Sequence, residues 1–293
     1  MVFNVLVFLH FSQKYINQIH FNQTMSQWQI TQEEKKLPVL KNPLFIEGLP
    51  GIANVGKIAT DFLIEELNAK RLYSFFSYRF PHSVFVGENN LIETPKIEIY
   101  YKAFGKNSKK RDLLILTGDI QPIDEESCYT FCEEVLKVAL QFRCKEMITT
   151  GGIGLQNIPD EPKVYCTSND AGLFKDYTKK GLGVEKNIFG VVGPIIGVSG
   201  VLLGLGKKRG VKAVSLLAET FAHPMYLGVK GGKEILSVIE KKFRYGVDLK
   251  KVSQEIVEIE KQLMKKTKEW ATEAVSHSRA GAKPKAKEVS YIG

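Results

Sequence analysis

The chain has 293 residues, of which 44% are hydrophobic and 25% charged, and its formal net charge is +9. This length suffices for one large α/β domain or two smaller ones, and the composition is that of an ordinary soluble protein. The segment 276–293 carries Arg279, Lys283, Lys285 and Lys287 against a single acid, Glu288. The rest of the chain is therefore only mildly basic, and nucleic acid is not an expected partner.

The cysteines and the N-terminus indicate the compartment. Residues 1–11 are apolar, but they lack the flanks of a signal peptide and are too short to span a bilayer, so no membrane association is expected. Met25 begins a polar segment, and residues 1–24 are interpreted as an upstream extension produced by start-site choice. The cysteines are Cys128, Cys132, Cys144 and Cys166. They form no C-x-x-C pair and no histidine lies at ligand spacing from them, which argues against a zinc site. We infer a reducing, cytoplasmic compartment.

The first strand, Leu44–Ile46, enters a glycine-rich turn that feeds a helix. Gly51–Lys57 matches the G-x-x-x-x-G-K core of a phosphate-binding loop, so Gly51, Gly56 and Lys57 form a candidate anion site. A nucleotide-hydrolysing loop needs Ser or Thr after the lysine to hold Mg²⁺, and Ile58 stands there instead. We favour a structural role, in which the glycines permit a tight turn and close packing of the helix on the strand.

Apolar strands alternate with amphipathic helices along the rest of the chain. The predicted strands after the first are Arg71–Phe80, Ser83–Val86, Lys96–Phe104, Leu113–Leu116, Met147–Thr150, Val164–Thr167 and Ala213–Leu217, with a turn at Gly87–Asn90. The predicted helices are Asn54–Asn68, Asp124–Phe142, Ala171–Lys180 and Gly232–Phe243. This order predicts an α/β fold, a three-layer α/β/α sandwich with a mostly parallel or mixed central sheet.

Two further segments are rich in glycine, and the first of them directly follows a strand. Gly151–Gly154 is predicted as a turn, with only Lys163 nearby to complete a phosphate site. Gly190–Gly206 approaches the length of a membrane span, but its proline and glycines argue against a lipid-facing helix. We predict a strand, a tight turn at Pro194–Gly200 and a small buried helix in it.

Three side chains near strand ends are candidates for acid or base chemistry. Asp119 follows a buried strand, where open α/β sheets place their sites, although it can equally cap a turn or bond a neighbouring loop. Glu219 and His223 form an acid and imidazole pair close in sequence, with an ordinary loop role as the favoured alternative.

The chain ends in a predicted helix and a tail. The apolar spacing predicts a C-terminal helix over 249–275 that docks on its own domain or pairs with another subunit. Lys266 is the one interruption of its apolar face. The residues of that face are Leu249, Val252, Ile256, Ile259, Leu263 and Trp270. We therefore divide the chain into an N-terminal extension (1–37, disordered or partly a start-site product), an α/β/α domain (38–248), this helix (249–275) and a disordered tail (276–293).

Five segments in this order resemble the proteasome assembly chaperone family, in an archaeal form of the assembly chaperone 2 type. They are Gly48–Gly56, Thr117–Pro122, Thr149–Gly154, Gly197–Gly204 and Ala218–Thr220, and the resemblance spans about Lys41 to Asp248. It implies a fold similar to purine nucleoside phosphorylases, no enzymatic equipment, no cofactor, and contact with proteasome subunits.

The resemblance also gives the C-terminus a role. Some archaeal members end in a hydrophobic residue, a tyrosine and one last residue, which dock between proteasome α-subunits. In this chain Tyr291 is third from the end, Ser290 precedes it and Gly293 adds one residue, so the match is imperfect. The predicted partner-binding residues are Val289, Tyr291, Ile292 and Gly293.

Three function classes remain at this point. The favoured one is a non-enzymatic proteasome assembly chaperone or adaptor that binds the core particle α-subunits and forms a homo-oligomer or pairs with a paralogue. The second is a nucleotide- or phosphate-binding enzyme, a ligase or a phosphorylase-like hydrolase, that uses Gly51–Lys57. The third is a small-molecule or phosphate sensor that uses the same turns without chemistry.

Overall fold

The computed structural model describes residues 27–87, 89–188, 190 and 193–258. Its strands are β1 (Gln29–Gln32), β2 (Leu44–Glu47), β3 (Lys70–Phe76), β4 (Phe85–Val86), β5 (Ile92–Glu93), β6 (Ile97–Lys102), β7 (Leu113–Gly118), β8 (Glu146–Leu155), β9 (Val164–Ser168), β10 (Val184–Glu185) and β11 (Lys212–Phe221). Its helices are α1 (Val55–Leu67), α2 (Glu125–Gln141), α3 (Ala171–Tyr177), α4 (Val198–Lys208) and α5 (Val229–Phe243). A single 3-10 turn, Ile52–Asn54, leads into α1.

Nine of the described strands form one mixed sheet in the order β1-β3-β6-β7-β2-β8-β11-β9-β10. The central strands β7, β2, β8 and β11 run parallel. Antiparallel β6, β3 and β1 extend the sheet beyond β7, and β9 pairs antiparallel with β11 on the other side. Strands β4 and β5 form a separate two-stranded hairpin. The predicted mixed sheet is therefore confirmed.

Helices cover both faces of the sheet, which confirms the predicted three-layer arrangement. α1 packs beside α5, and α2 packs beside α4. Phe45 and Ile46 are adjacent in β2, so their side chains point to opposite faces of the sheet. Both are fully buried because both faces are covered. Phe45 shares one core cluster with Phe131 of α2 and Leu202 of α4. The central strands are thus apolar on both faces, as the run Leu113–Leu116 predicts.

The ends of α1 and α2 follow from local sequence. Asn54 and Asn68 flank α1 with φ angles of 55° and 48°, a left-handed conformation that asparagine adopts more easily than most residues. The Asp124 carboxylate accepts the Ser127 backbone N–H at 2.9 Å, which caps α2. Both predicted helices are therefore confirmed to within one residue.

The glycine-rich segments differ from the prediction. Gly151–Gly154 does not turn but continues β8 to Leu155, alongside an equally long β11. The predicted turn at Pro194–Gly200 is also wrong, because α4 already begins at Val198 and residues 193–196 are irregular. Glycine permits extended and helical backbone as readily as turns, so its presence alone could not distinguish them.

The N-terminal segment contributes a strand. β1 pairs antiparallel with β3, from Gln29 opposite Phe76 to Gln32 opposite Tyr73. Trp28 is buried, and its indole N–H donates to the Thr130 hydroxyl at 3.1 Å. Disorder is therefore the wrong prediction for residues 28–32, while residues 1–26 lie outside the described part of the chain.

The chain divides into two compact units, Met1–Tyr245 and Gly246–Gly293. In the second unit the described residues are 246–258, and they are helical from 249 onward. Asp248 caps this helix, because its carboxylate accepts the backbone N–H groups of Lys250 and Lys251 at 3.0 and 3.1 Å. The rest of the predicted helix lies outside the described residues. Within the described ranges, no helix is both long and apolar enough to cross a bilayer.

Candidate functional site

A cleft of about 490 Å³ opens at the carboxyl ends of the central parallel strands. Its lining is mostly apolar and glycine-rich, and consists of Leu49, Pro50, Gly51, Ile52, Gly56, Gln121, Thr150, Gly151, Gly152, Ile153, Gly154, Gly193, Pro194, Ile195, Ile196, Ser199 and Leu217. None of these described lining residues carries a charge. Open α/β sheets bind their ligands in such crevices, beyond the carboxyl ends of the strands.

The cleft exists because β2 is shorter than its neighbour β8. β8 pairs with β11 over its whole length to Leu155, but it pairs with β2 only as far as Thr149. Beyond Glu47 the chain turns away from the sheet into the segment that starts α1. Among the described residues, the second half of β8 therefore has a neighbouring strand, β11, on one side only. The gap on its other side is the cleft.

Glycines let the walls of the cleft approach closely. A Cβ atom on Gly56 would lie 2.6 Å from the Thr150 carbonyl oxygen, and one on Gly48 would lie 2.2 Å from the Gly56 carbonyl oxygen. A Cβ atom on Gly152 would lie 2.6 Å from the Ile52 carbonyl oxygen. Backbone atoms cannot give way as a side chain can, so α1 reaches β2 and β8 only because these positions are glycine. The predicted close packing is confirmed at Gly48 and Gly56, whereas Gly51 has open space around it.

Directly beneath the cleft lies a fully buried carboxylate, Glu47, the last residue of β2. Its Oε1 atom accepts the Leu49 backbone N–H at 3.1 Å, and its Oε2 atom accepts the Ser199 hydroxyl at 2.9 Å. Burial raises the pKa of Glu47 to about 7, although both hydrogen bonds lower it. The side chain is therefore close to half-protonated near neutral pH.

Glu47 joins the three walls of the cleft. The Thr150 hydroxyl of β8 donates to the Glu47 main-chain carbonyl at 2.8 Å. The Ser199 hydroxyl, at the start of α4, also lies 3.3 Å from the Thr150 carbonyl oxygen. The Leu49 N–H brings the segment after β2 into the same network. The Glu47 carboxylate thus contacts two of the walls, through Leu49 and Ser199, and the Glu47 main chain contacts the third through Thr150.

Sequence reasoning missed Glu47, although a signal was present. A glutamate at the end of the buried strand Leu44–Glu47 stands at the carboxyl edge of the sheet, which is the same argument that singled out Asp119. The hydrogen-bond donor of this glutamate, Ser199, lies 152 residues further along the chain, and no local pattern predicts that contact.

The candidate anion site is only partly assembled. Gly51 and Gly56 line the cleft, but Lys57 does not. The Lys57 ammonium pairs with Asp61 one turn along α1 at 2.9 Å, and Asp61 in turn accepts the Thr117 hydroxyl at 2.7 Å. The lysine is therefore engaged by a carboxylate of its own helix.

The other candidate residues have structural partners. Asp119 is exposed, and its carboxylate accepts the Lys96 backbone N–H at 3.1 Å, so it bonds a neighbouring loop. The Glu219 carboxylate accepts the Lys163 backbone N–H at 3.0 Å and the hydroxyl of a β9 tyrosine at 3.2 Å. His223 accepts the Met225 backbone N–H through Nδ1 at 3.2 Å. These contacts favour the structural alternative for all three.

All four cysteines are buried free thiols. Burial raises the pKa of both the Cys144 and the Cys166 thiol to about 12, so neither is a reactive thiolate. Among the described residues, no group of His, Cys, Asp and Glu side chains is arranged to hold a metal ion.

The predicted partner-binding residues Val289, Tyr291, Ile292 and Gly293 lie outside the described part of the chain.

The fold and the site define a class, an α/β protein whose mixed sheet is covered on both faces and has a largely apolar crevice at its carboxyl edge. The PAC2 family model matches residues 45–267, which is more than half of the chain. The protein belongs to the PAC2 family, and the predicted resemblance to proteasome assembly chaperones is confirmed.

Solved structures and curated proteins agree with this assignment. The chain is 33% identical to Pyrococcus furiosus PbaB, an archaeal proteasome activator, with a TM-score of 0.73, and the match covers 82% of this chain and 99% of PbaB. It is 24% identical to Pyrococcus furiosus PbaA, an archaeal homologue of proteasome-assembly chaperone, with a TM-score of 0.66 and coverage of 86% and 97%. The uncharacterized protein MJ1210 of Methanocaldococcus jannaschii is 26% identical over 90% of this chain and 97% of its own length.

Proposed function

We propose that the protein is a non-enzymatic assembly chaperone or adaptor of the proteasome, located in the cytoplasm, that acts through protein–protein contacts. The observation that carries this proposal is the likeness to PbaB, which spans nearly the whole of that proteasome activator at 33% identity. The uncharged lining of the cleft and the engaged Lys57 are consistent with a protein that performs no phosphate chemistry.

The C-terminal tail is the proposed contact with the core particle α-subunits. Tyr291 and Ile292 offer apolar area that a receiving pocket can bury. The preceding segment contains Lys283, Lys285 and Lys287, so its charge would attract an acidic surface. In this proposal the lysine- and alanine-rich segment 276–287 acts as the flexible tether of the contact.

Surface plasmon resonance with immobilised core particle tests the tail. We expect Tyr291→Ala and deletion of 290–293 to weaken binding at least tenfold, which is about 1.4 kcal/mol. Ser290→Ala is the matched control, since it alters a neighbouring residue that the proposed contact does not use. Equal thermal melting of all variants would show that the folded body is unaffected.

The salt dependence separates the two parts of the tail. Raising the salt concentration should weaken binding of the full-length chain through its lysines, whereas the contribution of Tyr291 should persist. If full-length and truncated proteins bind equally well, the tail is removed from the mechanism. The chaperone proposal would then depend on the folded body alone.

A further inference from the structure

The cleft at the carboxyl ends of the central strands exposes an unpaired strand edge. β8 continues to Leu155, whereas its neighbour β2 ends at Glu47, opposite Thr149. Beyond Thr149, the backbone groups of β8 on that side therefore have no strand to pair with among the described residues. Unpaired strand edges are the surfaces to which an extended peptide can add as a further strand.

Two glycines carry this edge. Alternate residues of a paired strand direct their backbone N–H and C=O groups to opposite neighbours. The Leu155 carbonyl accepts a backbone N–H from the residue after β11 at 2.9 Å, so Leu155 faces β11. The Thr150 carbonyl oxygen lies 3.3 Å from the Ser199 hydroxyl, so Thr150 faces the opposite side. Gly152 and Gly154 follow Thr150 at two-residue intervals, and their backbone groups consequently point into the cleft. We call these two glycines the free edge of β8.

The free edge of β8 is open to a neighbouring strand. Among the described residues, no loop backbone makes a hydrogen bond with Gly152 or Gly154. Gly152 is partly exposed and Gly154 is exposed. Paired strands lie about 4.8 Å apart, and glycine has no side chain that would keep another backbone at a greater distance.

The walls of the cleft determine which kind of segment fits it. Ile52 and Ile196 line the cleft and are 48% and 84% exposed, so they can pack on apolar side chains of an added strand. None of the described lining residues carries a charge. A charged segment would lose its hydration in the cleft without finding an ionic partner. An acidic segment would also approach the buried Glu47 carboxylate beneath the cleft. The chemistry therefore favours an uncharged segment with apolar side chains.

We propose that the cleft is a peptide-binding site, in which an extended, uncharged segment of a partner protein adds a strand to the free edge of β8. The added strand occupies the place beside β8 that a longer β2 would fill, and its main chain pairs with that of Gly152 and Gly154. Because the two glycines offer no side chains for discrimination, main-chain hydrogen bonds supply most of the affinity. Ile52 and Ile196 add a preference for apolar side chains. The proposal does not depend on the proposed contact between the tail and the core particle.

Fluorescence anisotropy of a labelled hexapeptide with the full-length chain tests the proposal. The probe alternates valine and threonine and has blocked termini, so it is uncharged and favours an extended conformation. We expect saturable binding with a Kd below about 100 µM. A matched peptide in which esters replace the amide bonds keeps the side chains but lacks the N–H donors, and it should bind at least tenfold more weakly. Replacing the threonines with glutamate should have an effect of similar size.

Two substitutions that fill the cleft provide a second test. Gly51 and Gly193 line the cleft on two different walls, and each has open space around it. Gly51→Trp and Gly193→Trp should therefore occupy the cleft without displacing neighbouring atoms, and each should weaken peptide binding at least tenfold. Gly204→Trp is the matched control, because Gly204 also has open space around it but lies on α4 outside the cleft. Thermal melting checks that all three variants are folded.

Hydrogen exchange of the wild-type chain gives a measurement that requires no substitution. Saturating hexapeptide should slow amide exchange at Gly152 and Gly154, because their N–H groups become hydrogen-bonded. The proposal is overturned if the hexapeptide does not bind, if the ester peptide binds as tightly as the amide peptide, or if exchange at the two glycines is unchanged at saturation. It is also overturned if both cleft-filling variants bind the peptide as tightly as Gly204→Trp does.

Discussion

Replacing Glu47 with glutamine is expected to stabilise the protein at pH 8 and to remove a pH dependence of its stability. The folded-state pKa of about 7 lies above the ordinary value of 4.5. The native state therefore holds a proton that the unfolded chain has lost, and this difference lowers stability as the pH rises from 4.5 through 7. Above pH 7 the full penalty of about 3 kcal/mol applies, while below pH 4.5 there is none.

Glutamine keeps the shape of the side chain without a charge to bury. It offers one acceptor oxygen where the carboxylate offers two, which costs about 1 kcal/mol. Ser199 can offset part of this loss, because its hydroxyl can accept the amide N–H and donate to the Thr150 carbonyl oxygen 3.3 Å away. The expected net gain at pH 8 is about 2 kcal/mol, and it should disappear near pH 5.

Urea unfolding of both proteins between pH 5 and pH 8 measures this difference. Subtracting the two curves cancels every other titrating group, since only Glu47 changes. Glu126→Gln, at an exposed position of α2, controls for the loss of one negative charge. Parallel curves for wild type and Glu47→Gln over the whole range would refute the reasoning, because a buried carboxylate with a raised pKa must make them diverge.

Two further substitutions test the glycine-rich loop that leads into α1. Gly56→Ala should lower stability by about 1–3 kcal/mol or more, because its Cβ meets the Thr150 backbone, whereas Gly51→Ala, with open space around it, should change stability by less than about 0.5 kcal/mol in urea unfolding. Equal effects would contradict the packing role. Mg²⁺-ATP should leave the melting temperature unchanged, and a saturable increase that Lys57→Ala abolishes would instead establish a nucleotide site.

The layers of the fold were predictable because their causes are local. Apolar runs such as Leu113–Leu116 are buried on both faces in the structure, and the acidic start of α2 is capped by Asp124. The order of strands and helices then leaves few arrangements other than a covered sheet. Four of the five segments that carry the family resemblance contain glycine, and some of these glycines make close backbone approaches, such as the one between Gly56 and Thr150.

The cleft was not predictable in the same way. It arises from a difference in length between β2 and β8, and the extension of β8 passes through Gly151–Gly154, which has turn composition. Strand pairing with β11 overrides that local preference. Likewise, the environment of Glu47 depends on Ser199, a contact that only the tertiary structure creates. Long-range contacts are the part of the site that propensity and spacing do not encode.

Co-sedimentation of the full-length protein with purified proteasome core particle tests the central claim most directly. The account predicts saturable binding at micromolar concentration that persists in an excess of unrelated protein and weakens as salt is raised. A chain that stays in the supernatant at every salt concentration, while remaining folded by circular dichroism, would contradict a role at the proteasome.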